Sequence, residues 1–365
     1  MSPKIFKKNE DRNYQDIFDE DIKLFFSKAL KLGIKNPMLL PYLTRTYFNQ
    51  MKAASIRKKQ RESGEIIPPV MIFSITDECN LNCKGCYSQA QHRTAGKGMS
   101  RNDINRLFNE AREIGISIIL TAGGEPFTRK DLLNITGDHP DIIFPVFTNG
   151  LLIDKETAEK ISKHRNLIPV LSIEGLERQT DERRGEGVFD AIHRTIPLLE
   201  QNNIFWGISI TVTRENYDLI TGNNFLRELI FFGGRLFFFV EYVPIKEETI
   251  NLVPTDEQRD KLKRMASELS AKHPALFVVL PGDEASYGGC LAAGRGFIHI
   301  SANGDVEPCP FAPYSDINIK NRSLKDAINS SILLTKIREN HDSLTESQGG
   351  CALWTNREWV RTLIK

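Results

Sequence analysis

Apolar residues along this 365-residue chain follow two different periods. Segments 70–75, 117–121, 142–147, 167–173, 205–212 and 236–242 are short, strongly apolar runs rich in Val, Ile, Leu and Phe. That is the composition of strands covered on both faces. The stretches between them carry helix-like patterns, and two open on a capping-box signature: Ser100 with Asp103, and Thr255 with Gln258. Six strand–helix units predict a parallel sheet covered by helices. In such a sheet the loops leaving the C-terminal strand ends carry the chemistry.

The flanks break this rhythm. Over roughly 13–66, Phe25, Ala29 and Leu32 repeat at i, i+4 and i+7, and Leu43, Tyr47, Met51 and Ala54 form a second helical stripe. Pro37 and Pro41 read as the break between them, and Gly64 as the stop. Beyond 283, segments 297–301 and 305–309 flank Ala302-Asn303-Gly304, a hairpin signal, and a short helix is expected near 323–329. The expected organisation is an N-terminal helical arm at 1–66, a core at 67–282 and a small C-terminal domain at 283–365. There is no fixed-period repeat and no low-complexity tract.

Composition narrows the class. Hydrophobic residues make up 40% and charged residues 26%, as in an ordinary globular protein. No run of 18 apolar residues occurs, so no membrane span is expected. The polar, charged start lacks the apolar run of a secretory signal, and a cytoplasmic protein is expected. The net charge of +1 hides an asymmetry: residues 22–61 hold ten Lys and Arg and no Asp or Glu. This basic arm reads either as two helices that cover the core and leave their lysines in water, or as a surface that docks on anionic lipid. Nucleic acid would also satisfy the charge but is disfavoured as a partner.

Six cysteines in a long, unexported chain point to metal or redox chemistry rather than disulfides. Cys79, Cys83 and Cys86 follow the first predicted strand at spacings x3 and x2. Three thiolates can hold three irons of a [4Fe–4S] cube and leave the fourth open. A zinc site would want a fourth ligand nearby, and none is obvious.

With this loop after the first strand, the chain resembles the radical S-adenosylmethionine (radical SAM) superfamily. Further segments match in order: Gly123-Gly124-Glu125-Pro126 after the second strand, Thr148-Asn149-Gly150 after the third, Ser172-Ile173-Glu174 after the fourth, Arg183-Arg184-Gly185 beyond it and Thr211-Val212-Thr213 after the fifth. One departure is Gly85, where the family usually has an aromatic residue; Tyr87 stands on the other side of Cys86. The resemblance covers roughly 70–245. It implies a partial (β/α)6 TIM-like barrel whose open iron chelates SAM and cleaves it to a 5′-deoxyadenosyl radical that abstracts hydrogen from substrate. It further implies that Tyr87, Gly123, Gly124, Glu125, Pro126, Asn149, Ser172, Glu174, Arg184 and Thr213 line the cofactor, with Arg184 meeting its carboxylate.

Cys290, Cys309 and Cys351 remain. Cys290, Gly304 and Cys309 have the opening spacing of the SPASM and Twitch extensions, which hold auxiliary clusters, and Gly-Gly precedes both Cys290 and Cys351. The position expected for a fourth cysteine is Trp354, so a second [4Fe–4S] cluster would have three cysteine ligands. Its fourth iron either binds substrate or takes a non-cysteine residue, with His299 a candidate. The resemblance implies a reductant protein such as a flavodoxin or ferredoxin, and leaves the substrate unidentified. The alternatives are a nucleic-acid-modifying relative and a non-catalytic iron–sulfur electron carrier.

Overall fold

The computed structural model describes residues 13–34, 36–91, 98–281, 284–344 and 351–364. The architecture is α/β: one curled sheet of nine strands in the order β7-β6-β5-β4-β3-β2-β1-β8-β9, with helices packed against it. The strands are β1 Val70–Thr76, β2 Ile118–Gly123, β3 Phe144–Thr148, β4 Leu167–Ser172, β5 Gly207–Val212, β6 Leu236–Glu241, β7 Leu276–Leu280, β8 Phe297–Ile300 and β9 Val306–Glu307. All neighbours pair in parallel except β8 and β9. The six strands expected from the sequence are present as a partial barrel.

Three strands, β7, β8 and β9, extend it beyond those six. Strand β7 adds to β6 in parallel, Leu236 opposite Leu276. Its five apolar residues read equally well as a buried helix fragment, because so short a run has no decisive period. The hairpin at 297–309 forms, and β8 also pairs in parallel with β1, Val70 opposite Phe297. The C-terminal segment therefore lies against the strand that precedes the first cysteine loop.

Both capping boxes form. Ser100 accepts from the Asp103 backbone, and Thr255 from that of Gln258. The arm is two helices, α1 Tyr14–Ile34 and α2 Leu40–Glu62. Pro41 starts α2 rather than breaking it, because the first turn of a helix has no use for the missing N–H.

Arm and sheet meet through the period of two along a strand. Phe237 and Phe239 face the main core, while Leu236 and Phe238 face the other way and join Phe26, Ala29, Leu39 and Leu43 of the arm. Ile143, Ile168, Val170, Phe205 and Leu276, most of them at or beside N-terminal strand ends, complete that second cluster. The arm thus closes the end of the barrel opposite the cysteine loop. Arg57, buried on α2, fixes it by pairing with Asp19 of α1 and donating to the Gly115 carbonyl. Among the described residues, no helix is long and apolar enough to cross a membrane.

Candidate active site

The chain leaves β1 at Thr76 and runs through Cys79, Cys83 and Cys86 before the short helix α3, Tyr87–Gln91. All three thiols are half-buried and none is in a disulfide. The loop is pinned at several points. Lys84 N donates to the Arg183 carbonyl at 2.8 Å, Gly124 N to Thr76 O at 2.8 Å and Glu125 N to Glu78 O at 2.7 Å. Gly124 lies so near the Glu78 carbonyl that any side-chain carbon there would collide with it. The glycines after β2 therefore let two backbones touch, which sets the height of the cysteine loop over the sheet.

Gly85 has a physical reason. Its φ is +66°, and a side-chain carbon would stand 2.6 Å from the Tyr242 hydroxyl. Tyr242, buried just past β6, brings an aromatic ring to this position from another part of the chain. Tyr87 points elsewhere: its ring packs edge-on against Phe311 at 5.2 Å.

Glu125 is 1% exposed and is a hub. It accepts from Phe127 N at 3.1 Å, Thr148 Oγ1 at 2.7 Å and Asn149 N at 2.7 Å. Burial pushes its carboxyl up, and these bonds oppose the shift. Asn149 in turn donates to Asn80 at 2.8 Å, tying the end of β3 to the cysteine loop. Pro126 opens a short helical turn beside it.

A second hub is Glu174, beyond β4. Its carboxylate takes both Arg183 and Arg184 and also accepts from Thr211 N at 3.2 Å. Asn216 donates to the Glu174 and Thr211 carbonyls at 2.9 Å each and accepts from Thr213 N at 2.8 Å. Ser172, half-buried, ends β4 next to this network.

The two hubs and the thiols share one field. Burial raises the Cys83 thiol, and the Arg184 and Arg183 charges pull it back; Cys86 and Cys79 lie close enough to act on it as well. Arg184 also acts on Glu125. Its Nε is buried and, among the described residues, has no hydrogen-bond partner. A buried cationic donor of that kind calls for an anionic acceptor. The site therefore fits a carboxylate-bearing cofactor beside three thiols. No three His, Cys, Asp or Glu side chains among the described residues converge on a single metal ion. Single-ion coordination needs such convergence, whereas a cube takes its ligands on separate irons.

The second set of cysteines also comes together. Cys290 and Cys309 are buried and Cys351 is half-buried. The three thiols lie close enough to act on one another. The Cys351 side chain, then burial, raises the Cys309 thiol, and burial raises Cys290. Trp354 N donates to Cys351 Sγ at 3.4 Å. Gly349 and Gly350, expected to approach a cluster, lie outside the described residues. His299 does not serve as the missing ligand: Nε2 bonds Ser74 Oγ at 2.8 Å and Nδ1 bonds Glu307 at 2.6 Å, so both nitrogens are engaged between β1, β8 and β9. Tyr242, Asn80, Asn216 and Glu284, which lies beside Cys290, are the site residues that sequence reasoning missed. Only Tyr242, next to a strand end, carried a positional hint.

Comparison with known proteins agrees with this geometry. The pattern of the Radical SAM superfamily matches residues 73–221. An AdoMet-dependent heme synthase of Methanosarcina barkeri is 26% identical over 319 residues, 78% of this chain and 88% of that protein. The mycofactocin maturase MftC of Mycolicibacterium smegmatis is 26% identical over 318 residues, 80% of this chain and 77% of that protein. In fold, the chain resembles SuiB of Streptococcus suis bound to S-adenosylmethionine, with a TM-score of 0.64 at 20% identity over 87% of this chain and 80% of that one. With its cysteine loop at the head of a curled parallel barrel and the superfamily's pattern across the first five strands, this chain is a radical SAM enzyme.

Proposed function

We propose that the enzyme reductively cleaves S-adenosylmethionine at a [4Fe–4S] cluster on Cys79, Cys83 and Cys86 and abstracts hydrogen from its substrate. The observation that carries this reading is the buried Arg184 Nε without a described partner, coupled electrostatically to Cys83 and Glu125. When bound, the cluster supplies the electron that breaks the cofactor's C–S bond.

The chain's own residues do the positioning. Arg184 meets the cofactor carboxylate and remains oriented by Glu174. Glu125 fixes the Asn149 backbone, and Asn149 fixes Asn80 of the cysteine loop. Tyr242 stands beside Gly85 and presents a ring where the superfamily usually has one within the loop. Gly123, Gly124, Pro126, Ser172 and Thr213 shape the remaining wall. Tyr87 serves packing toward the C-terminal segment rather than a cofactor contact.

Residues 283–365 are proposed to hold a second cluster on Cys290, Cys309 and Cys351, whose mutual proximity supports it. A flavodoxin- or ferredoxin-type reductant is the proposed electron source. Hydrogen abstraction suits either a heme-type substrate, suggested by the name of the heme synthase, or a peptide, suggested by the precursor peptide bound to SuiB in a solved structure, and comparing metabolites and peptides of cells with and without the gene would choose between them.

The test is anaerobic. Reconstituted, reduced protein should release 5′-deoxyadenosine from SAM, and a variant with Cys79, Cys83 and Cys86 all changed to Ala should release none. Product from that variant at the wild-type rate would sink the proposal.

A further inference from the structure

The C-terminal cysteines have a carboxylate among them. Glu284 starts the short 3-10 turn Glu284–Tyr287 and is only 7% exposed. Its carboxylate accepts from Leu291 N, the residue after Cys290, at 3.3 Å and lies close enough to act on the Cys290 thiol. Its own carbonyl accepts from Gly289 N at 3.0 Å, so a tight loop keeps Glu284 beside Cys290. Arg295 braces the same loop, donating to the Cys290 and Tyr287 carbonyls at 2.7 Å each.

We propose that Glu284 is the fourth protein ligand of the C-terminal cluster, closing the iron that Cys290, Cys309 and Cys351 leave open. The inference rests on the two-cluster reading above. Three thiolates hold three corners of a cube. The other residues considered for the fourth are unsuited: an indole N–H can only donate, and both nitrogens of His299 are engaged.

Charge gives the reason for a metal. With its sulfur on iron, Cys290 is a thiolate, and the buried Glu284 carboxylate beside it is a second anionic group. Such a pair is costly unless a cation lies between them. An iron corner of the cube is that cation, and carboxylate oxygen is a competent iron donor. A cluster closed in this way passes electrons and does not anchor substrate.

The experiment uses the full-length chain, reconstituted anaerobically, with SAM in excess so that the first cluster's open iron is occupied. Wild type, Glu284→Gln and Glu284→Cys are compared by iron content, by electron paramagnetic resonance of the reduced C-terminal cluster with and without cyanide, and by its reduction potential. Wild type should bind about eight irons and show a C-terminal signal that cyanide leaves alone. Glu284→Gln should become cyanide-sensitive, and its potential should rise, because an anionic ligand has been lost. Glu284→Cys should stay closed to cyanide. Loss of about four irons from Glu284→Gln but not from Glu284→Cys would also support ligation. The proposal is overturned if the wild-type signal already responds to cyanide, if Glu284→Gln matches wild type in both readouts, or if both variants lose the cluster. Only about four irons in wild type would overturn the two-cluster reading itself, and the ligand assignment with it.

Discussion

Arg184 illustrates what one residue contributes to this site. One guanidinium nitrogen is spent on Glu174, and Nε, which is buried, has no described partner. The neighbouring Arg183 is spent differently, on Glu174 and on the Thr211 hydroxyl at 2.6 Å. The pair therefore divides its work: Arg183 braces the network and Arg184 offers a free donor to an incoming anion. A charge-assisted bond of that kind is worth about 1.5–3 kcal/mol. Arg184→Ala should weaken SAM binding by about ten- to a hundred-fold with iron content unchanged, measured by equilibrium binding to reconstituted protein. Glu174 would keep Arg183 and Thr211 N, so the fold around it should survive. Unchanged affinity would transfer the carboxylate to Arg183 or another residue.

At the scale of elements, the arm has an inner and an outer face. Phe26, Ala29, Leu39 and Leu43 are buried on the barrel, which accounts for its apolar stripes. The other face exposes Leu24, Ile34, Met38 and Phe48 among the exposed basic residues Lys23, Lys28, Lys31, Arg45 and Lys52. If that face docks on anionic lipid, the protein should sediment with anionic vesicles and be released as salt rises, and Phe48→Asp should reduce binding without loss of fold. No sedimentation at low salt would leave the arm a plug alone. The elements also show what the sequence could carry. Six strands were legible because each is a β-rich apolar run set between helical patterns. The parallel pairing of β8 with β1 was not, because register between strands 227 positions apart, Val70 and Phe297, leaves no local trace. The thiols and the Gly123–Gly124 turn were legible from spacing. Tyr242 beside Gly85 and Glu284 beside Cys290 were not, because only the folded chain brings those pairs together.

Across the whole molecule, the two cysteine sets are neighbours rather than separate modules. β8, which lies between Cys290 and Cys309, hydrogen-bonds along β1, which leads into Cys79. Tyr87, next to Cys86, packs on Phe311, two residues beyond Cys309, and feels the charges of both Cys86 and Cys309. A cluster in each set would therefore be linked by a short aromatic bridge, with the arm's helices closing the far end of the barrel and Tyr287 bonded to Asp21 of α1 at 2.7 Å. With a cluster in each set, this layout would separate two tasks, radical generation at the first and handling of electrons at the second. Changing Cys290, Cys309 and Cys351 together to Ala should lower iron from about eight to about four per chain. That variant should still form 5′-deoxyadenosine in the absence of substrate, since Glu125, Glu174 and Arg184 keep their partners, but it should fail to complete turnover once the substrate is in hand. Iron analysis and 5′-deoxyadenosine assay on the same preparation check both halves. A variant that loses SAM cleavage while retaining four irons would mean that the bridge through Tyr87 and Phe311 holds the first cysteine loop in its working shape.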